Sequence, residues 1–133
     1  MESEGVTLDT IRHWVTTAAR AASAKKAENT VVLDVGDVLS ITDAFVITSA
    51  GNPRLVRTIA EEVEEKFKES GGPAPLRMEG LDDARWVLMD YGDFVVHVFL
   101  DEVRHFYDLE RLWRDAPVVD WRQERAGQAA AGE

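Results

Sequence analysis

The chain has 133 residues, enough for one domain with a real core and too few for two ordinary ones. Its 25 Asp and Glu outnumber 15 Lys and Arg, and the formal charge of -10 argues against binding driven by clustered basic residues that neutralise nucleic-acid phosphates. Cysteine is absent, which excludes disulfides, thiolate zinc sites and cysteine nucleophiles.

Met1 to Asp9 is polar and acidic, without the apolar core of a signal segment, and no run approaches the roughly 20 apolar residues of a membrane span. A cytoplasmic, soluble protein is expected. From Thr7 to about Ala24 the positions Leu8, Ile11, Val15, Ala18, Ala19 and Ala22 recur at helical spacing, with Thr7 placed to cap the helix. His13 and Trp14 sit beside that stripe and read as edge residues without chemistry. Lys25 to Asn29 breaks the pattern, and Thr30 to Val35 has the β-branched content of a strand. Asp34, Asp37 and Asp43 follow at spacings that match no standard metal-ligand pattern and suit turns and caps. Ala44 to Ser49 is apolar almost throughout, as expected of a central strand covered on both sides.

Asn52 and Pro53 mark the N-cap and first position of a second helix, in which Val56, Ile59, Ala60, Val63 and Phe67 oppose Glu61, Glu62, Glu64 and Glu65. The Gly51-Asn52 turn lacks the glycines and lysine of a phosphate-binding loop and is assigned no ligand. Gly71-Gly72-Pro73 ends the helix, Leu76 to Met78 is a short strand and Glu79-Gly80 a turn.

Two β-rich runs then flank Gly92-Asp93, a two-residue loop with glycine first, the signal of a type II′ hairpin. Period-two alternation pairs Tyr91 with Phe94, Met89 with Val96 and Val87 with Val98 on a wholly apolar face. The opposite face pairs Asp90 with Val95, Leu88 with His97 and Trp86 with Phe99, a mixture that suits neither a dry core nor plain solvent and reads as a contact surface. After Phe99, Asp101 is placed to cap one further helix with a broad apolar face of Val103, Phe106, Tyr107, Leu109, Leu112 and Trp113, stopped by Pro117. A domain spanning 1–116 is therefore followed by an extension, 117–133, that is expected to be largely disordered, with Trp121 the residue able to pin it to the domain. The element order predicts a single α/β sandwich with a mixed sheet of about five strands flanked by helices.

Taken in order, Leu33-Asp34-Val35, Ile41-Thr42-Asp43, Phe45-Val46-Ile47, Arg54 with Val56 and Ala60, Glu79-Gly80, Trp86 with Asp90, Gly92-Asp93 with His97, Arg104, Tyr107, Leu109-Glu110 and Leu112-Trp113 resemble the Iojap family of ribosomal silencing factors, RsfS. The resemblance covers about Leu8 to Trp113. It departs at Pro53, where many relatives have serine, and in the tail after Ala116. It implies a nucleotidyltransferase-like fold without catalysis, no cofactor or metal, and attachment to the large ribosomal subunit through its protein uL fourteen, where the bound factor blocks joining of the small subunit and represses translation in starvation. Ribosomal RNA contacts would be peripheral, and the free protein can be a homodimer. Assembly of the large subunit, or an acidic homodimeric module, is the alternative role.

An exposed aromatic patch with a polar rim is what such binding requires. Trp86, Leu88, His97 and Phe99, bordered by Asp90, fit it, and Trp86 and His97 are expected to be exposed enough to bind. Phe99 fits equally well beneath the following helix. Arg104, Tyr107 and Glu110 extend the rim, although Tyr107 suits the core as well. An enzyme of the nucleotidyltransferase type would need paired acidic residues beside a Gly-Ser loop, and neither Asp34 with Asp37 nor Ser49-Ala50-Gly51 matches.

Overall fold

The computed structural model describes residues 8–36 and 42–122. It has helices α1 (Leu8–Ala24), α2 (Pro53–Glu69), α3 (Asp101–Tyr107) and α4 (Leu109–Leu112) and strands β1 (Glu28–Asp34), β2 (Ala44–Ala50), β3 (Arg77–Glu79), β4 (Trp86–Asp90), β5 (Phe94–Leu100) and β6 (Val118–Val119). The sheet runs β3-β4-β5-β2-β1-β6, with β2 and β5 parallel and every other pair antiparallel. A mixed sheet flanked by helices is thus the observed architecture. All seven residues of β2 are buried, because helices or loops cover both faces of the central strand.

The amphipathic stripes place α1 and α2 together over one face of the sheet. Asn52 caps α2 by accepting from the Leu55 N–H at 2.8 Å, and Val56, Ile59, Ala60, Val63 and Phe67 are its buried residues. Phe67 reaches Tyr91 and Phe94 at 4.9 and 5.8 Å between ring centroids, so α2 closes over the apolar face of the β4–β5 hairpin. Burying each large apolar side chain there contributes roughly 1.5 to 3 kcal/mol before entropy is counted.

The mixed sheet, expected to have about five strands, gains a sixth because Val118 and Val119 pair with Leu33 and Val32, a run too short to register as a strand by pattern. Within the extension, Trp121 is buried against the domain, the pinning role expected of it, and its indole N–H donates to the Thr30 carbonyl at 3.1 Å. The disorder expected further on, and the Thr7 cap, lie outside the described residues. Finally, the single helix after Phe99 is two, broken at Asp108 in the left-handed region (φ 49°), and Leu100 rather than Asp101 occupies the N-cap of α3. Asp34 behaves as a turn residue, accepting from the Gly36 N–H at 3.2 Å, while Asp37 lies outside the described residues.

Gly80 has φ +91°, and a Cβ there would strike the Trp86 carbonyl. Gly80→Ala is therefore expected to cost about 2 to 4 kcal/mol in urea denaturation, through both the backbone conformation and the collision with the start of β4.

Candidate docking surface

The turn geometry sets which hairpin residues face outward. Gly92 has φ 88° while Asp93 is not in the left-handed region, the pattern of a type II′ turn, and the Tyr91 N–H donates to the Phe94 carbonyl at 3.0 Å. The ladder then pairs Trp86 with Phe99, Val87 with Val98, Leu88 with His97, Met89 with Val96 and Asp90 with Val95, as the alternation predicts. Asp90 fastens the turn by accepting from the Gly92 N–H at 2.8 Å and lies 3.5 Å from the Arg77 guanidinium. Val87, Met89, Tyr91, Phe94, Val96 and Val98 are all buried.

On the opposite face Trp86 is the hub. Its half-buried indole lies 4.8 Å from the Phe99 ring centroid and 5.0 Å from that of Tyr107, and its Nε1–H donates to His97 Nδ1 at 3.1 Å. That bond makes Nδ1 the acceptor, so the neutral ring carries its proton on Nε2. Nε2 is itself buried with no hydrogen-bond partner among the described residues. Phe45 meets the imidazole edge-on at 4.9 Å and Phe99 stacks near it at 6.1 Å. Burial lowers the His97 pKa from 6.5 to about 4, because the charged form would sit in this aromatic enclosure without water. His97 is thus a neutral hydrogen-bond acceptor at neutral pH, and it orients Trp86.

Beside Trp86 an open groove of about 520 Å³ runs between the Gly80–Arg85 turn and α3, lined by Trp86, Val103, Phe106 and Tyr107 with Asp83 and Glu102 at its edge. The turn is held from beneath by Arg57, which donates to the Leu81 carbonyl from Nε and Nη2, both at 3.2 Å, and to the Asp82 carbonyl at 3.1 Å. Phe106, Tyr107 and Leu112 are 79%, 51% and 70% exposed, a concentration of solvent-facing apolar side chains on two short consecutive helices. Contiguous apolar surface of this kind marks an interaction site more often than chance exposure.

The structure sorts the predicted site residues into three groups. Trp86, Leu88 and Tyr107 reach the surface, and Asp90 sits half-buried at the hairpin turn. Phe99 is fully buried, which settles the alternative in favour of its place in the core. The expectation of an exposed His97 is corrected: only 4% of it is accessible, because Phe45, Trp86 and Phe99 enclose the ring. Arg104 is likewise buried and Glu110 is half-buried against it, so neither is a free rim charge. Sequence reasoning missed Phe106 and Leu112 as surface residues by placing both on the apolar face of one helix. A signal was available, since at 100° per residue Val103 and Leu112 fall on opposite sides of a continuous helix and could not share one buried stripe.

Residues 8–133 match the family described as ribosomal silencing factor during starvation, RsfS. The chain belongs to the RsfS family. It is similar to the ribosomal silencing factor RsfS of Bacillus subtilis, with 43% identity over 103 residues that cover 77% of this chain and 86% of that one. A mouse relative named mitochondrial assembly of ribosomal large subunit protein 1 is 30% identical over 91 residues, covering 67% of this chain and 40% of its own length. Among solved structures, that of a Chromobacterium violaceum protein superposes with a TM-score of 0.74 at 34% identity, covering 77% of this chain and 85% of that one.

For this RsfS-family chain the buried His97 makes a pH prediction with a definite sign. Above pH 6.5 the folded and unfolded states both hold it neutral; below that, the unfolded state takes up the proton first, so stability falls as the pH drops toward 4. Between pH 7 and pH 4.5 the wild type should lose about 2 kcal/mol more than His97→Gln in urea denaturation. Equal losses in the two proteins would contradict the buried neutral imidazole.

Proposed function

We propose that this chain is a translational repressor that binds the large ribosomal subunit through protein uL fourteen and sterically prevents the small subunit from joining. The observation that carries the reading is the apolar surface of Trp86, Phe106, Tyr107 and Leu112 on a member of a family described as silencing ribosomes during starvation. Large aromatic residues supply most of the energy at protein interfaces, and Trp86, already fixed by His97 and Phe99, meets a partner with little conformational entropy to lose. The formal charge of -10 favours a basic ribosomal protein as the direct partner and leaves ribosomal RNA at the periphery. Leu88 and Asp90 flank the patch, while His97, Phe99, Arg104 and Glu110 support it from behind. Ribosome binding would place the protein in the cytoplasm; no helix of the described residues is long and apolar enough to cross a membrane.

No catalytic step enters the reading, because docking and steric exclusion suffice for repression. The same apolar surface supports a self-associated form of the free chain, which the ribosomal partner would displace. The name of the mouse relative favours large-subunit assembly as the second role, and the two are separable: an assembly factor changes the yield of mature large subunits, whereas a repressor acts on finished ones.

Trp86→Ala should keep the circular dichroism of the folded chain and weaken co-sedimentation with purified large subunits by about 10- to 100-fold, the effect of losing one central aromatic anchor. In a sucrose gradient the wild type should lower the fraction of joined ribosomes formed from purified subunits, and the variant should not. Unchanged co-sedimentation of the variant would refute the assignment of Trp86. Binding without any effect on joining would refute repression.

A further inference from the structure

Arg104 is 8% exposed, yet all five N–H groups of its guanidinium have acceptors. Nε and Nη2 form a fork on the Glu110 carboxylate at 3.2 and 2.7 Å. Nη1 donates to the Glu28 carbonyl at 3.2 Å and to Ser49 Oγ at 3.0 Å, and Nη2 also donates to the Asn29 carbonyl at 2.7 Å. The two carbonyls lie where the β1–β2 register shifts between Glu28 and Val31, with Asn29 in the left-handed region (φ 51°). A bulge releases backbone groups from the ladder, and here the released carbonyls turn toward the guanidinium. One side chain therefore ties three pieces together: α3 that bears it, the irregular start of β1 with Ser49 of β2, and α4 through Glu110.

The tie matters because α4 has little else to hold it. It is four residues long, contains no buried residue, and joins α3 through Asp108 in a conformation that costs a non-glycine residue energy. Leu109 and Trp113 give it partial packing, the latter at 5.9 Å from Phe45. The exposed Phe106 and Tyr107 precede the Asp108 joint and Leu112 follows it, so the relative placement of the two halves of the apolar surface depends on the angle at that joint.

We propose that Arg104 and Glu110 form a latch that fixes the α3–α4 elbow before any partner arrives, with Arg104 acting as a positioning residue and not as a contact. The inference rests on the docking reading above and deepens it: part of the affinity for the large subunit comes from preorganisation, and a loosened latch lowers apparent affinity by the fraction of molecules whose elbow remains set. Lysine cannot replace Arg104, since its ammonium carries three donors and cannot form the planar fork.

The test uses the full chain with Glu110→Gln, which leaves the backbone-directed bonds of Arg104 in place, alongside Arg104→Lys. Amide hydrogen exchange by NMR is read on the free proteins, and binding is read by co-sedimentation with purified large subunits. Glu110→Gln is expected to lower the unfolding temperature but stay folded with β2 and β5 protected, to lose protection at residues 109–113, and to bind about five- to ten-fold more weakly. Adding Asp108→Gly to Glu110→Gln removes the backbone cost at the joint and should recover part of both the protection and the affinity. Direct contact with the partner would instead weaken binding while 109–113 stay protected and would leave Asp108→Gly without effect, overturning the proposal. Lost protection with unchanged affinity would overturn it too, by placing the elbow outside the docking surface. A wild type that fails to sediment with large subunits would overturn the docking reading itself, a result distinct from any difference among the variants.

Discussion

The two-residue turn at Gly92–Asp93 constrains the structure more than any other local feature. A loop of that length fixes the register of β4 on β5, and period-two alternation then leaves no freedom in which residues face which way. A slip of β4 by one residue would turn Val87 and Met89 outward, away from Val96, and bring Trp86, Leu88 and Asp90 under α2. The apolar side closes against Phe67 of α2 and supplies much of the core, while β5 pairs parallel to β2 along its length. The remaining side is free to carry a surface because the first is committed to the fold.

That surface is organised in depth. His97 and Phe99 form a buried layer, Trp86 rests on both, and Tyr107 stands outside Trp86. A neutral imidazole suits the inner layer because it accepts the indole proton without bringing a charge into an apolar enclosure, and burial keeps it neutral. On the other flank a single guanidinium, paired with Glu110 and two backbone carbonyls, links the four-residue α4 to α3 and the start of β1. The acidic side chains of α2, Glu61, Glu64 and Glu65, belong to the opposite layer of the sandwich.

Much of this was legible in the residues alone, for reasons that differ by element. The hairpin register followed from one turn and strict alternation, and α2 from its cap, Pro53 and a clean stripe. Strand β6 was not legible, because two residues show no period and Val118–Val119 gain their strand geometry only from the edge of β1. The break at Asp108 was hidden by apolar residues on both sides of it, although their distribution around a continuous helix was inconsistent with one buried face. Burial of His97 and Arg104 was missed for a common reason. A polar residue signals exposure in a linear reading, and only the fold reveals that the indole N–H of Trp86 or the carbonyls of Glu28 and Asn29 are waiting for it.

If the Trp86 face, and not the acidic helical layer, meets the large subunit, hydrogen exchange of the full chain, free and bound to purified large subunits, should show new protection confined to residues 86–90 and 103–112, with the amides of α2 exchanging as in the free protein. New protection along α2, with the Trp86 face unchanged, would contradict it.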